Sequence, residues 1–485
     1  MKGLLMLFNS LPFILLFLPI AVYVYFCLIN KRIILGARLW LVGASLFFYA
    51  FWNIYYLPLI LISMAVNFTL GSTISSPDVR VNKRLLLILG ITLNVCTLGY
   101  FKYTDFLISN VNWLLHTEIP YQNIVLPLAI SFFTFQQIAY LVDCYKGLTK
   151  EYDILSYALF VSFFPQLIAG PIVAHYEMMP QFIKKANLVK NYHHIFLGIA
   201  IFVIGLFKKV VIADTCAKYA TIGFDQLNTL TFWGGWFTSL SYTAQIYFDF
   251  SGYCDMAIGC ALMFNIKLPI NFNSPYKALN IQEFWRRWHI TLSRFLRDYL
   301  YIPLGGNRKG EARACANIFT VFLIGGLWHG AAWTFVIWGI LHGLANIIYR
   351  LWHKTGFMLN KFVAWFITFN FINLSWVFFR AQDFQAAKKV ITAMFDLSSF
   401  TDKPWWRIKY YLTGFEARSG TFYIPVLLVL LCVILPNSVQ ILQKLSAVKS
   451  SKKLVVFSVV LAFVSVGLLA KMIIVPYSEF IYFNF

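Results

Sequence analysis

The apolar stretch from residue 314 to residue 348 is long enough to enter a lipid bilayer, and an ionisable side chain, His329, lies near its middle. An ionisable group at membrane depth costs free energy unless it is paired or lines a wet cavity, so such a histidine is a candidate functional residue. The string around it, Gly325-Gly326-Leu327-Trp328-His329-Gly330, holds three glycines, which weaken a helix but let the backbone bend or approach another group closely. These features predict a membrane helix that is broken beside a buried imidazole.

The same apolar character extends along the whole chain, since 60% of the 485 residues are hydrophobic and only 12% are charged, which is typical of a polytopic membrane protein. The apolar runs are residues 11–29, 34–52, 56–70, 85–100, 124–142, 155–173, 194–212, 232–248, 253–264, 318–348, 362–379, 422–435 and 454–474. Several are shorter than the roughly 20 residues that cross a bilayer, so we expect tilted or re-entrant segments among them. The expected fold is all-α, a single integral-membrane domain over residues 1–485 with about 11 to 13 transmembrane or re-entrant helices.

The basic residues indicate membrane orientation rather than nucleic-acid binding. The chain has 40 Lys and Arg against 19 Asp and Glu, but these basic residues lie in short loops, for example at residues 31–32 and 80–84, as in the cytoplasmic loops of membrane proteins. If those loops are cytoplasmic, both chain ends and residues 382–420 lie outside the cytoplasm. The lysines of residues 184–190 fit this arrangement only if a neighbouring apolar run enters the membrane and returns. The first run is too long for a signal-peptide core and lacks a cleavage pattern, so we expect it to be retained.

The eight cysteines are scattered singly along the chain. None forms a Cys-x-x-Cys pair, and no Cys/His spacing would close a tetrahedral metal site. We therefore expect no metal site and interpret the cysteines as small core residues.

Residues 265–313 combine basic and aromatic side chains and interrupt the pattern of apolar runs and short loops. Between residues 283 and 300, helical spacing brings large apolar side chains to one face: Trp285, Trp288, Leu292, Phe295 and Tyr299. Most of the arginines fall elsewhere, which predicts a cytoplasmic-side amphipathic helix that lies at the membrane surface or folds into the bundle. In the first case Arg286 and Arg287 meet lipid phosphates.

Two polar features accompany this segment. Residues 301–308 form a turn-rich basic loop around Asn307, and such a loop can cradle a phosphorylated ligand, although a solvated turn has the same composition. Asp249 and Asp255 lie in or beside apolar segments. Because a buried carboxylate needs a partner, we expect a structural salt bridge with an arginine of residues 286–297, namely Arg286, Arg287 or Arg297; a proton relay is the alternative role.

Five strings occur in order through the central part of the chain. They are residues 247–259, residues 271–276, Phe284-Trp285-Arg286-Arg287-Trp288-His289, residues 297–307 and Trp328-His329-Gly330, with further matches at residues 164–173 and 179–182. In order and separation they resemble the membrane-bound O-acyltransferase superfamily, in particular its bacterial branch of alginate and peptidoglycan O-acetyltransferases. The resemblance is strongest between residues 163 and 343. Residues 174–175 depart from the family's pattern, which puts a phosphate-binding role for that short loop in doubt.

The resemblance implies a many-helix fold around a central funnel, with His329 at its narrow point and His289 as a second important histidine. It also implies that an acyl group arrives from the cytoplasmic side, commonly as a thioester such as acetyl-CoA, without a tightly bound cofactor. We take His329 and His289 as candidate catalytic residues. The candidates for lining the chamber or binding the donor are Trp328, Trp288, Arg286, Arg287, Asn273, Asn307 and Asp249.

An imidazole suits acyl transfer because it can accept the proton of a hydroxyl as attack begins and return a proton to the leaving group. Trp328 and Trp333 could wall a chamber that excludes water. The alternative for His329 is a hydrogen bond to a neighbouring helix. For His289 a structural, donor-orienting or proton-relay role stays open, and His342 is expected to be a packing or hydrogen-bonded residue.

Two functions follow as hypotheses. The first is an O-acyltransferase of the bacterial inner membrane that moves an acetyl group from a cytoplasmic donor for O-acetylation of an extracytoplasmic polysaccharide, such as alginate, peptidoglycan or a similar exopolymer. The acetylating relatives imply a separate extracytoplasmic transferase as partner, which we expect to dock at residues 382–420. The second is a transporter or export component for a polysaccharide or its precursor, which predicts an internal repeat. No convincing repeat is evident in the sequence.

Overall fold

The computed structural model describes residues 6–77, 81–149, 153–400, 423–448, 450–475 and 480–481. Every regular element within these residues is helical. The described residues divide into two compact units: the first contains residues of Met1–Leu206, Tyr253–Ile270 and Lys444–Asn484, and the second contains Phe207–Gly252 and residues of Asn271–Gln443. The all-α prediction is confirmed for the described part of the chain.

The helices up to residue 221 are α1 (Leu18–Asn30), α2 (Ile34–Ala50), α3 (Leu57–Ser75), α4 (Lys83–Leu115), α5 (Ile130–Tyr145), α6 (Ile154–Ser162), α7 (Phe164–Leu167), α8 (His175–Ile183), α9 (Tyr192–Phe207) and α10 (Asp214–Thr221). The remaining helices are α11 (Phe232–Met263), α12 (Ile281–Arg287), α13 (Ile290–Leu296), α14 (Glu311–His329), α15 (Trp333–Lys354), α16 (Lys361–Arg380), α17 (Phe384–Phe395), α18 (Tyr423–Ile434), α19 (Ser438–Ser446) and α20 (Ser451–Ile474). Side-chain caps mark several starts: Asn82, Asp153, Asn280, Asn360 and Asp383 each accept a backbone N–H of the first turn.

Within the described residues, seven helical stretches are long and apolar enough to span a membrane, or eight if the pair α18 and α19, bent by 45°, is one span. The seven are Phe13–Asn30, Ile54–Ser75, Lys83–Leu115, Tyr192–Gln226, Trp333–Lys354, Lys361–Arg380 and Lys452–Ile474. The chain is therefore a multi-pass membrane protein, as predicted. The other apolar runs of the sequence form shorter or broken helices, except residues 232–264, most of which form the long helix α11.

Three of the apolar runs differ from the expected spans. Residues 155–173 form only the short helices α6 and α7, which are separated at the non-helical residue Phe163. The helix cannot continue through this point because Pro165 has no N–H to donate to the preceding turn. Residues 232–248 and 253–264, expected as two spans, form the single helix α11 of 32 residues. The polar residues between the two runs, Asp249 and Ser251, lie within this helix, and their side chains are buried in the protein.

Helices α14 and α15 form the hairpin of the second unit that carries the central histidine. His329 is the last residue of α14, Gly330 is extended, and α15 begins at Trp333, so the predicted break is confirmed. A Cβ on Gly326 would lie 2.5 Å from the carbonyl oxygen of Phe335 and 3.0 Å from Cα of Gly339. The two backbones approach this closely only because both positions are glycine.

Helix α16 packs antiparallel to α15. The Trp338 and Trp376 ring centroids are 5.8 Å apart, and His342, one turn further along α15, reaches Ser375. Consequently the C-terminal end of α15 lies beside the N-terminal end of α16, and the start of α15 lies beside the end of α16.

The expected continuous helix over residues 283–300 is wrong. Helix α12 ends at Arg287, Trp288 is extended, and His289 has a φ of 44°, in the left-handed region. Asn271 holds this break, because its backbone carbonyl accepts from Ile290 N and its side-chain oxygen accepts from Thr291 N. Of the predicted apolar face, Trp285, Trp288, Leu292 and Phe295 are buried in the protein.

Candidate functional site

The imidazole of His329 lies inside an aromatic enclosure built by three helices. Its exposed fraction is 3%. Its ring centroid lies 5.0 Å from that of Trp328, 5.1 Å from that of Trp338 and 5.1 Å from that of Phe379, all edge-to-face. Trp338 belongs to α15 and Phe379 to α16, so the break after α14 presents the histidine to both neighbouring helices.

Trp328 joins the two candidate catalytic histidines, since its ring also lies 6.3 Å from the ring of His289. Trp288 is part of the same cluster, because it packs 4.9 Å from Trp376, which packs 5.2 Å from Phe379. The structure thus brings together four of the predicted site residues: His329, His289, Trp328 and Trp288.

The amide of Asn271 fixes the protonation pattern of His289. Its Oδ1 accepts hydrogen bonds from the backbone N–H and the hydroxyl of Thr291, and the same oxygen lies 3.2 Å from His289 Nδ1. An oxygen that already acts as an acceptor requires a proton on Nδ1, so Nε2 is the basic nitrogen of this ring. Burial lowers the pKa of His289 to about 3, which keeps the imidazole neutral.

His342 is a structural residue, as the sequence predicted. The indole N–H of Trp285 donates to its Nδ1 at 3.2 Å. Its Nε2 lies 3.0 Å from the hydroxyl of Ser375, whose proton is given to the carbonyl of Ile372. Both ring nitrogens are therefore engaged in holding α12, α15 and α16 together.

Asp249 is 1% exposed and pairs with Lys209, at 2.8 Å, rather than with an arginine of residues 286–297. Lys209 also contacts Asp214 at 2.9 Å, so one buried cation serves two carboxylates. The predicted arginines have other partners: Arg287 pairs with Glu283, and Arg297 pairs with Asp298. The signal that the sequence offered was Lys208-Lys209 inside the apolar run 194–212. Phe250, the neighbour of Asp249, places its ring 4.8 Å from that of His289.

Two further candidates have local structural roles. Arg287 donates to the carbonyl of Asn273 at 3.1 Å, and its own carbonyl accepts from Asn273 N. The Asn273 side chain accepts from Asn437. These bonds fix the turn before α12.

Arg286 and Asn307 lie near the C-terminal end of α15. Arg286 lines a cavity of about 620 Å³ together with Asn280, Gln282, Glu283, Tyr349, Arg350, His353 and Lys354. Asn307 accepts a hydrogen bond from Arg350 at 3.2 Å. Glu311, at the start of α14, pairs with Arg350 and with Lys354. These hydrogen bonds, first that from Arg350 and then that from Lys354, lower the pKa of the Glu311 carboxyl to about 2. We call the cavity that Arg286 lines the basic cavity.

A second cavity, of about 710 Å³, lies at the other end of α16. Its lining is rich in polar and charged side chains of both signs: Asp225, Asn228, Thr229, Gln382, Asp383, Gln385, Lys388, Lys389, Thr392 and Asp396. Arg380 forms a two-oxygen ion pair with Asp225, and the preceding residue, Phe379, is the one that packs on His329. We call this space the polar cavity.

Trp333, which the sequence suggested as a wall of the chamber, lies at the start of α15 and is 52% exposed. Trp338, Trp376 and Phe379 take that role. The sequence offered no signal for them, because aromatic residues on membrane helices are far more often packing or lipid contacts. Among the residues that the structure describes, no three His, Cys, Asp or Glu side chains come together as metal ligands.

The sequence profile of the membrane-bound O-acyltransferase family matches residues 50–382. The peptidoglycan O-acetyltransferase of Helicobacter pylori is 48% identical, over 99% of this chain and 98% of the relative. The probable alginate O-acetylase AlgI of Pseudomonas aeruginosa is 41% identical, over 81% of this chain and 76% of the relative. The teichoic acid D-alanyltransferase of Bacillus subtilis is 29% identical, over 55% and 71% respectively.

Proposed function

The chain belongs to the membrane-bound O-acyltransferase family, and from that premise we propose that it moves an acetyl group from a cytoplasmic thioester to a hydroxyl acceptor for O-acetylation of an extracytoplasmic polysaccharide. The observation that carries the proposal is the burial of His329 among aromatic rings at the break between α14 and α15. The two relatives that cover most of the chain support the acetyl group and a peptidoglycan-like or alginate-like acceptor. The transporter hypothesis is not supported by these relatives, which are named as acyl-transferring enzymes.

His329 acts as the general base in this proposal. It accepts the proton of the acceptor hydroxyl while the hydroxyl oxygen attacks the thioester carbonyl carbon. As the carbon–sulfur bond breaks, the imidazolium returns the proton to the departing sulfur, so the base is regenerated. The enclosing rings of Trp328, Trp338 and Phe379 exclude water and thereby limit hydrolysis of the donor. Because His329 is almost inaccessible, substrates reach it only when one of these side chains moves.

His289 serves as a positioning residue in the proposal. Its Nδ1–H is held by Asn271, and its ring packs near Trp328, which in turn packs on His329. Loss of the His289 ring therefore changes the placement of Trp328 before it changes any proton transfer.

The basic cavity is the proposed entry site of the donor. Guanidinium and ammonium groups bind phosphate oxygens strongly, and Arg286, Arg350 and Lys354 line this cavity. Helix α14 begins at Glu311 beside the cavity and ends at His329, 18 residues later, a separation of roughly 27 Å at 1.5 Å per residue. A suitable donor therefore carries phosphates and a reactive thioester at opposite ends of a long arm, as acetyl-CoA does.

The polar cavity is the proposed acceptor side. Amide and hydroxyl side chains such as those of Asn228, Gln385 and Thr392 can bind sugar hydroxyls or a polar loop of a partner transferase. The docking segment proposed at residues 382–420 contributes α17 to this cavity, and its residues 401–420 lie outside the described residues. The inner membrane of a bacterium is the proposed location, since both proposed polymers are assembled outside it.

Replacement of His329 tests the proposal. In cells that lack the native protein, His329→Ala should reduce base-labile acetate on cell-wall and extracellular polysaccharide by about 100-fold or more, because general-base catalysis is lost. His116→Asn is the matched control: His116 is exposed and has a φ of 51°, which asparagine tolerates. Equal amounts of the two variants in the membrane, and equal midpoint temperatures of thermal unfolding, show that folding is intact. Full acetylation with His329→Ala would refute the proposed role.

A further inference from the structure

A cavity of about 600 Å³ lies in the first unit, apart from the candidate site. It is bounded by α1, α9 and α20, and its walls include Leu18, Val22, Ile199, Val203 and Leu469. The volume lies within the range of cavities that hold small ligands in proteins. Because the lining is almost entirely apolar, water gains few hydrogen bonds there, and a hydrocarbon ligand fits the walls better.

The cavity faces the lipid phase. Helix α20 is a membrane span whose side chains are mostly exposed, and it contributes only Ser465 and Leu469 to the lining. On α9 and α1, Ile199 is 43% exposed and Tyr23 is 70% exposed. A lipid acyl chain can therefore enter sideways between α20 and the two other helices without crossing a polar barrier.

Polar and basic groups gather at one end of this cavity. Asn30 at the end of α1, Lys190 and Tyr192 at the start of α9 all line it. Lys190 Nζ lies 4.8 Å from the centroid of the Tyr192 ring, and this contact keeps the ammonium group beside a residue that lines the cavity. Lys31 and Arg32 follow Asn30 directly and are exposed. This end therefore offers positive charge and hydrogen-bond donors to a phosphate.

From these observations we infer that the cavity binds one anionic phospholipid, with an acyl chain between α1, α9 and α20 and the headgroup phosphate at Lys190. The positive-inside bias of Lys31 and Arg32 assigns the headgroup to the cytoplasmic leaflet. The inference does not depend on the proposed function, because its residues lie in the first unit and none is a candidate catalytic residue.

Native mass spectrometry of the full-length protein in detergent tests the binding. The probes are phosphatidylglycerol and phosphatidylcholine with identical acyl chains. We expect wild-type protein to retain one phosphatidylglycerol more tightly than phosphatidylcholine by about fivefold, the contribution of one lysine near a membrane surface. Equal retention of the two lipids, or retention of detergent alone, would overturn the inference.

Two pairs of variants locate the site. Ile199→Trp places a larger side chain in the cavity and should weaken lipid retention, whereas Ile62→Trp, on an exposed position of α3 outside the cavity, should not. Lys190→Gln should remove the preference for phosphatidylglycerol while acyl-chain binding persists, and Lys184→Gln, which is exposed and does not line the cavity, should leave the preference intact. Thermal unfolding confirms that each variant is folded. Identical lipid retention in Ile199→Trp and Ile62→Trp would show that the lipid binds elsewhere.

Discussion

The side chain of Asn271 illustrates how one neutral residue sets the state of a buried histidine. A carboxylate at this position would attract a second proton to His289, whereas the neutral amide oxygen accepts from Nδ1–H and from Thr291. The backbone of His289 is left-handed at this contact, with a φ of 44°. Asn271 thus holds the His289 ring in one tautomer, and burial keeps the ring neutral.

The low pKa of His289 predicts an acid-dependent loss of stability. The ordinary pKa is 6.5 and the folded value is about 3. Between these values the unfolded chain binds a proton at this ring and the folded chain does not, so the free energy of unfolding falls as the pH decreases through this window. Replacement by asparagine, which tolerates the left-handed backbone, removes this contribution. We expect His289→Asn to lose less thermal stability than wild type between about pH 7 and about pH 4.

Thermal unfolding in detergent, measured at several pH values, checks this expectation. The difference in midpoint between the two pH extremes is the relevant quantity, since the substitution also removes the contact with Asn271 and lowers stability at every pH. His116→Asn serves as the control, because His116 is exposed and its replacement should not change the pH dependence. A parallel pH dependence in His289→Asn and wild type would contradict the prediction.

At the level of helices, the α14–α15 hairpin depends on Gly326. An added Cβ would meet backbone atoms of Phe335 and Gly339, which cannot rotate away, so α14 must shift relative to α15. We expect Gly326→Ala to lower the free energy of unfolding by ~1–3 kcal/mol, the usual cost of overpacking, and to displace His329 three residues later. Both the midpoint temperature of thermal unfolding and the rate of acyl transfer should decrease.

The neighbouring glycine provides the control for that prediction. A Cβ on Gly325 would have one contact within 4 Å, at 3.5 Å from Leu296 Cδ1, which is an ordinary distance. Alanine also favours a helix more than glycine does. Gly325→Ala should therefore leave activity and stability unchanged or slightly raised. If Gly325→Ala and Gly326→Ala behaved alike, the close approach of α14 and α15 would not be the cause.

The basic cavity leads to a kinetic prediction. Arg286 is exposed and lines the cavity, so Arg286→Gln should raise the KM for acetyl-CoA by about tenfold with little change in kcat, because a charge-assisted contact to phosphate is lost. Arg313→Gln is the control, since Arg313 is exposed on α14 and does not line the cavity. Thioester hydrolysis or transfer by the protein in proteoliposomes gives both constants. An unchanged KM would separate this cavity from donor binding without affecting the role of His329.

The sequence predicts some helix boundaries and misses others for identifiable reasons. The break at Gly330 was predictable, because glycine, tryptophan and histidine stand together in one string. The break at His289 was not, because the apolar spacing continues through it and the contacts that hold it come from Asn271, in a separate string. The continuity of α11 was missed for a similar reason: the apolar run 232–248 stops before Asp249, whose buried partner Lys209 lies forty residues earlier.

Prediction of the candidate site has the same limits. The histidines and Trp328 were evident from local strings, since an ionisable group in an apolar run stands out. Trp338, Trp376 and Phe379 were not, because their aromatic character is common to every membrane helix of this chain and only packing brings them to His329. The arginines were grouped with the histidines in sequence, yet Arg286 lies at the basic cavity and Arg287 in a turn.

At the scale of the whole second unit, the basic cavity and the polar cavity lie at opposite ends of the helix pair α15 and α16. Helix α16 has 20 residues, which corresponds to roughly 30 Å, the thickness of the hydrocarbon layer. The basic cavity adjoins its N-terminal end through His353 and Lys354 of α15, and the polar cavity adjoins its C-terminal end through Gln382 and Asp383. His329 lies nearer the second end, beside Phe379. The arrangement predicts that the two cavities open to different sides of the membrane.

Cysteine labelling in intact cells tests this topology. Residues His353 and Gln385 are exposed and line the basic and the polar cavity respectively. A thiol reagent that does not cross the inner membrane should label Gln385→Cys in cells whose outer barrier is permeable, and should label His353→Cys only after the inner membrane is opened. Wild-type protein provides the background, since its one exposed described cysteine, Cys96, lies within the membrane-spanning part of α4. Labelling of both variants from the same side would mean that α16 does not cross the bilayer between the two cavities, and a transfer path from one cavity to the other would then have no membrane to cross.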